Sequence, residues 1–243
     1  MSQPTVLHLA PHPDDELLGA PGSLFALRDA GWRVVNVACT LGRPAQRERR
    51  LAEVTEACRR AGFELLVELT PAEALSGLQP SLVVCPSPHD HHPTHERIGR
   101  ETLAAVQAVG APSRVWLWAL YAGLGLPTLV RPIDTERLAE IEEALEAHKG
   151  QLARIDLGRL VRARAEVGAL IAAERVVGFG SAALELEGAE LLTELAVDGD
   201  RFRLCEPRVA RAHELGEPGP LDVTDWLFEP SLTTRFGSRH APG

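Results

Sequence analysis

Aromatic residues are scarce in this 243-residue chain: six phenylalanines, four tryptophans and a single tyrosine, Tyr121, make up 5% of it. No stretch approaches the ~20 consecutive apolar residues of a membrane-spanning helix, so no membrane span is expected. The start, "MSQPTVLHLAPHPDD", has no basic leader, and its apolar run is too short for a secretory signal. Cysteine is limited to Cys39, Cys58, Cys85 and Cys205, with no CxxC pair. Three of them lie inside apolar runs, which predicts reduced, mostly buried thiols in a cytoplasmic protein. An excess of positive charge is also missing: 25 basic against 34 acidic residues leave a net charge of -9. With no basic stripe carrying interleaved aromatics, nucleic acid is not an expected partner. Arginine heavily outnumbers lysine, a compositional bias from which no function follows. Oligomeric state is not readable, and a homo-oligomer stays open.

What is present is a chain that is 45% hydrophobic, enough for a sizeable core. Short β-rich apolar runs recur at 5–10, 32–40, 64–69, 81–87 and 114–120. Helical patterns separate them at 20–30, 46–61 (Leu51, Val54, Cys58 and Ala61 on one stripe, Gly62 as cap) and 95–108. This alternation predicts an α/β fold: a Rossmann-like, mostly parallel sheet with helices on both faces. A long helix is expected over 135–155, capped by Asp134 or Thr135, and an Arg-rich one over roughly 159–174. Residues 189–243 read as a short helix ("AELLTEL"), a "DGD" turn, a strand ("RFRLCEP") and a Pro/Gly-rich tail whose last ten or so residues are expected to be disordered. The expected organisation is one domain over 1–190, with 191–243 a short C-terminal α/β extension packed on it.

Two expected strand ends carry the chemistry. "LAPHPDDELLG" (9–19) follows the first strand and holds His12, Asp14, Asp15 and Glu16. "PHDHHPTHERIG" (88–99) follows the fourth and holds His89, His91, His92 and His95. In parallel sheets ligands bind beyond the carboxyl ends of the strands. Either segment alone has a bland reading, the first as a helix N-terminus favoured by acids, the second as a polar surface loop. Together they favour a metal: imidazole and carboxylate suit zinc, and a dication relieves the repulsion among three clustered acids.

"HPDDELLG" resembles the signature of the LmbE-like, or PIG-L, zinc-dependent N-acetylglucosaminyl deacetylases. "HPTH" (92–95) with Gly99 resembles that family's second motif. "RLAEVTEACRRAGF" (50–63) and "ERVVGFGS" (174–181) are weaker matches, and the resemblance covers about the first 190 residues. It implies one zinc per chain held by His12, Asp15 and His95, with Asp14 as general base and His92 as second catalytic group. It also implies a small-molecule amino-sugar substrate, deacetylated by water that the metal activates. Arg43, Arg50 and Tyr121 are candidate substrate contacts, although Arg50 could instead bridge to Glu53 or face solvent. Thr94 departs from the family pattern, where aspartate is usual, and Asp90 could substitute for it. His89 and His91 are expected at the pocket rim, Glu16 in the first helical turn or behind the ligands, and His8 and His148 in the core. Two other readings compete. One is a DHH-type two-metal phosphoesterase, against which the acids here are adjacent instead of alternating. The other is a Rossmann-like binding domain with a vestigial cluster.

Overall fold

The computed structural model describes residues 3–210 and 213–231; the tail expected to be disordered lies outside the described residues. Strands β1 (Thr5–Ala10), β2 (Arg33–Ala38), β3 (Glu64–Val67), β4 (Leu82–Pro86) and β5 (Arg114–Trp118) form a parallel core in the order β5-β4-β1-β2-β3. All six residues of β1 are buried, as expected of a strand covered on both faces. β1 and β4 are neighbours, yet the chain leaves β1 towards β2 on one side and β4 towards β5 on the other. That is the topological switch point of a doubly wound sheet, where a crevice opens beyond the strand ends.

Helices α1 (Asp15–Leu18), α2 (Pro21–Asp29) and α3 (Arg47–Ala61) follow β1 and β2. α4 (Pro71–Leu78) and α5 (Pro93–Val109) flank β4. Val6, Leu24, Phe25, Val54 and Trp116 share one apolar cluster, while Leu7, Leu9, Leu75, Ile98 and Leu103 share another. Successive β1 residues thus feed opposite faces of the sheet, as the two-residue period of a strand requires. α3 is rotated slightly from its expected stripe. Val54, Cys58 and Ala61 are buried, but Leu51 is 37% exposed and Arg50 turns inward. Gly62 closes α3 in the left-handed conformation at φ 70°.

Two departures from expectation shape the rest. The helix expected over 135–155 is broken into α6 (Thr135–Leu145), capped by Asp134, and a short α7 (Lys149–Leu152) that begins after His148. "AELLTEL" is not a helix: it lies in β7 (Gly188–Asp198), which pairs antiparallel with β5 and with β6 (Leu129–Ile133). Seven of the eleven residues of β7 are buried, so packing between neighbouring strands overrides the helix propensity of Ala, Glu and Leu. α8 (Leu157–Ala172) packs across β7. β8 (Arg201–Cys205), β9 (Arg208–Val209), β10 (Pro218–Asp222) and α9 (Thr224–Phe228) complete the described chain.

Candidate metal centre

The two loaded segments leave β1 and β4 side by side, so both open into the crevice at the switch point. α5 starts at Pro93, directly after His92, and carries His95 inward one turn later. Its first turns lie close against the end of β4. A Cβ on Gly99 would come within 2.5 Å of the Pro86 carbonyl oxygen, so only glycine allows this approach.

One nitrogen from each of His12, His92 and His95 falls within a sphere of mutual distances below 4.8 Å, the one such His/Cys/Asp/Glu group among the described residues. The Asp15 carboxylate joins them: its Oδ2 is 3.2 Å from His12 Nδ1 and 3.4 Å from His95 Nε2. Metal–ligand bonds of ~2.0–2.2 Å at tetrahedral angles place neighbouring ligand atoms about 3.3 Å apart. Those spacings are therefore long for hydrogen bonds and right for ligands sharing one ion. The same Asp15 oxygen accepts the His12 backbone N–H at 2.8 Å, which fixes it in place.

Asp90 is fully buried and holds the far side of His95. Its Oδ2 lies 2.6 Å from His95 Nδ1, and its Oδ1 accepts backbone N–H groups from Leu120, Tyr121 and Ala122. A carboxylate on the outer nitrogen leaves Nε2 aimed at the centre, the usual arrangement behind a metal-bound histidine. Asp90 thus orients His95, so a carboxylate does stand behind a site histidine although Thr94 replaces the usual aspartate.

Asp14 turns away from Asp15. Its backbone is left-handed at φ 111°, and its N–H donates to Glu16 Oε2 at 2.9 Å. Its own Oδ2 accepts from Gln151 Nε2 at 2.8 Å, and Arg50 Nη2 stands 3.9 Å away. The other Glu16 oxygen meets His148 Nε2 at 2.5 Å, both side chains being fully buried. Glu16 therefore props the strained Asp14 peptide from behind, and His148 is the core histidine expected, although its partner belongs to the acidic segment.

In the protein alone these environments separate the groups. Burial, reinforced by the Asp15 charge and opposed by the Gln151 hydrogen bond, raises the Asp14 pKa to about 7. For Asp15 burial is outweighed by His95 and His12, which hold its carboxyl well below the usual carboxylate range. His95 is raised to about 10, burial being outweighed by Asp15 and Asp90. His92 is lowered to about 4 by burial and by the neighbouring His95 and His12, so its imidazole is neutral at pH 7. A bound dication would reverse the pull on His95 and deepen that on His92.

Tyr121 is exposed and stacks on the His92 ring at 5.2 Å. Arg43 is exposed at the turn before α3. Arg50 is buried, donates to the Pro13 carbonyl at 3.0 Å and holds its guanidinium 3.9 Å from Asp14 Oδ2; it is Arg49 that pairs with Glu53. Of the rim histidines, His91 is exposed, and His89 meets the Trp226 carbonyl at 2.9 Å. His8 has Nδ1 on Asn36, while its Nε2 has no hydrogen-bond partner among the described residues. Sequence reasoning missed Gln151. The available signal was its position three residues after His148, on the face of a helix already assigned to the core.

Residues 7–72 match the PIG-L family model, described as GlcNAc-PI de-N-acetylase. A search of curated proteins gave no significant match. Among solved structures, a conserved protein from Thermus thermophilus superposes with a TM-score of 0.63 at 23% identity, covering 77% of this chain and 92% of its own. The 4-carboxy-2-hydroxymuconate hydratase of Pseudomonas putida gives 0.58 at 18%, covering 79% and 96%. The N,N'-diacetylchitobiose deacetylase of Pyrococcus horikoshii gives 0.56 at 19%, covering 79% and 84%. The fold is therefore shared by a deacetylase and a hydratase, and the chemistry has to be argued from the site.

Proposed function

We propose that this chain, PIG-L-like over residues 7–72 and LmbE-like in fold, is a metal-dependent hydrolase that removes an acetyl or other small acyl group from the nitrogen of an amino sugar. The observation that carries this reading is the division of labour between adjacent acids: Asp15 faces His12 and His95, while Asp14 is turned onto Gln151. The two-metal phosphoesterase reading calls for acids that share metals, which this divergence does not favour.

His12, Asp15 and His95 would hold one zinc ion, a donor set of imidazole and carboxylate suited to that metal. Bound there, zinc supplies Lewis acidity towards the acyl carbonyl and the attacking water. Asp14 takes the proton from that water; the Gln151 N–H and the Glu16 brace keep its carboxylate aimed. His92, neutral at pH 7, donates its ring N–H to the carbonyl oxygen as negative charge develops there. With His92 neutral, the proton for the departing amine comes from Asp14, which has just received one. Tyr121, stacked on His92, would bound the sugar side of the crevice, and Arg43, exposed before α3, is a candidate substrate contact.

The test is metal analysis combined with acetate release from N-acetylglucosaminyl compounds, after loading with zinc, cobalt, nickel or manganese in turn. One tightly held ion per chain and release of acetate are expected. His95→Ala should lose both metal and activity. Asp14→Ala should keep the metal and lose activity, and loss of metal in that variant would make Asp14 a ligand. His92→Ala should also keep the metal; if it does not, His92 replaces Asp15 in the ligand set. No acetate from a broad panel of metal-loaded assays would overturn the reading.

A further inference from the structure

Beside the metal centre lies a second concave feature, a half-open cavity of about 310 Å³. Leu18 and Gly19 of the α1 turn and Ala119, Ala122, Gly123 and Leu124 of the loop after β5 line one side of it. Its floor is apolar, formed by Ile133, Ile141, Val161, Ala165 and Ile171. The volume is that of about ten waters, at the lower end of small-molecule sites. Val167 on its wall is 53% exposed, so an apolar side chain stands at the mouth.

The charges on this wall do not balance. Glu190 is consumed by the start of α2: it accepts from Gly22 N, Ser23 N and Ser23 Oγ at 2.6, 2.8 and 2.6 Å. Arg164 has no such counterion. Its guanidinium donates to the Ala119 and Leu120 carbonyls at 2.8 and 3.3 Å, and no carboxylate of the described residues lies within ion-pair distance of it. Burial pulls its pKa below the ordinary arginine value, and the distant Glu190 and Asp90 offset this only in part. Arg175, also on the wall, donates to the Leu124 carbonyl, so a second cation stands nearby. An apolar cavity with a guanidinium that lacks an anion is complementary to an apolar group carrying one.

We infer that this cavity is a binding subsite for an apolar substituent bearing a carboxylate or a phosphate, and that the substrate presents its acylated amine to the metal centre while this substituent occupies the cavity beside Arg164. The second half of the inference rests on the function proposed above; the first does not. The loop Ala119–Ala122 joins the two, since Arg164 grips its carbonyls from the cavity side and Asp90, the partner of His95, grips its N–H groups from the other.

Calorimetric titration of the full-length, metal-loaded protein with octanoate, octyl phosphate and 1-octanol tests the cavity without any turnover. Saturable one-to-one binding of at least one anion, roughly tenfold tighter than the alcohol, is expected. The tighter of the two anions identifies the headgroup. Arg164→Met should abolish the preference for the anion. Because that change also frees two loop carbonyls, Val167→Trp provides an independent variant at an exposed wall position, and it should weaken all three ligands by roughly tenfold or more. No saturable anion binding, equal affinity for alcohol and anions, or unchanged binding in Val167→Trp would each overturn the inference. So would a stable oligomer that Val167→Trp dissociates, because the cavity would then be covered by a second copy.

The substrate link is read from the kcat/KM ratio of an ω-carboxyheptyl N-acetylglucosaminide to the methyl compound. A ratio well above one, collapsing towards one in Val167→Trp, is expected. Equal turnover of both compounds by the parent protein would overturn the link. No turnover of either, with octanoate binding intact, would overturn the deacetylase reading and leave the cavity's ligand standing.

Discussion

Asp14 and Asp15 are neighbours in sequence, yet they sit in opposite electrostatic settings, and the cause is one backbone angle. With Asp14 left-handed, its side chain leaves the direction taken by Asp15, and the two carboxylates find different partners. Such a backbone is costly for a residue other than glycine, by about 1–3 kcal/mol, and the Glu16 hydrogen bond to the Asp14 N–H is the local compensation. At this scale the sharpest prediction concerns Asp90. Asp90→Asn keeps the shape but removes the charge behind His95, so metal affinity should fall by roughly 10–100-fold. Competition against a chromophoric chelator measures it, and an unchanged affinity would mean that His95 needs no such partner.

At the scale of elements, α7 is small but sits at a junction. The chain breaks between α6 and α7 because His148 turns in to meet Glu16, and the break brings Gln151 onto Asp14. Gln151→Ala should lower kcat while leaving metal content unchanged; equal loss of both would point to a folding defect. His148 supplies a pH signature. Burial pulls its pKa down, but the Glu16 carboxylate outweighs burial and leaves the folded value raised. The pair's contribution to stability is then complete below the unfolded value of about 6.5 and is lost as pH rises through the higher folded value. Breaking a buried pair costs about 3–5 kcal/mol. The destabilisation of His148→Gln in urea should therefore be largest in mild acid and shrink towards alkaline pH, and a pH-independent loss would refute the ion pair. At the start of α5, Gly99→Ala should cost about 1–3 kcal/mol, read as a lower denaturation midpoint, because the added methyl meets the immobile Pro86 carbonyl.

For the whole molecule, the site is an accessory to the fold and not its support. The two apolar clusters on the faces of the sheet bury residues of β1, β2, β4 and β5, and none of the site histidines belongs to either. Chelation should therefore abolish activity while leaving secondary structure intact by circular dichroism. Stability should drop only by the linkage contribution, about 2.7 kcal/mol at a free metal concentration one hundred times Kd, read as a lower melting temperature. Collapse of the secondary structure on chelation would make the ion structural.

Much of the site is legible in the chain because each half is contiguous. His12, Asp14 and Asp15 follow one strand, His92 and His95 follow another, and strands in a parallel sheet release their loops on one edge. The apolar runs likewise determine β1, β2, β4 and β5, since a strand buried on both faces is largely apolar. Other features required tertiary structure. "AELLTEL" carries helix propensity, and only its place beside β5 makes it a strand. By its position on α3, Arg50 could bridge to Glu53 or face solvent, and only the fold buries it against Pro13 and beside Asp14. Gln151 lies 137 residues from Asp14 along the chain, and its place three residues after His148 does not by itself say what it faces. The sequence by itself determined which residues could hold a metal, because ligand chemistry is written in side-chain type. Only the tertiary structure decided which carboxylate faces the histidines and which faces Gln151, because that choice depends on a backbone twist and on partners brought from the far end of the fold.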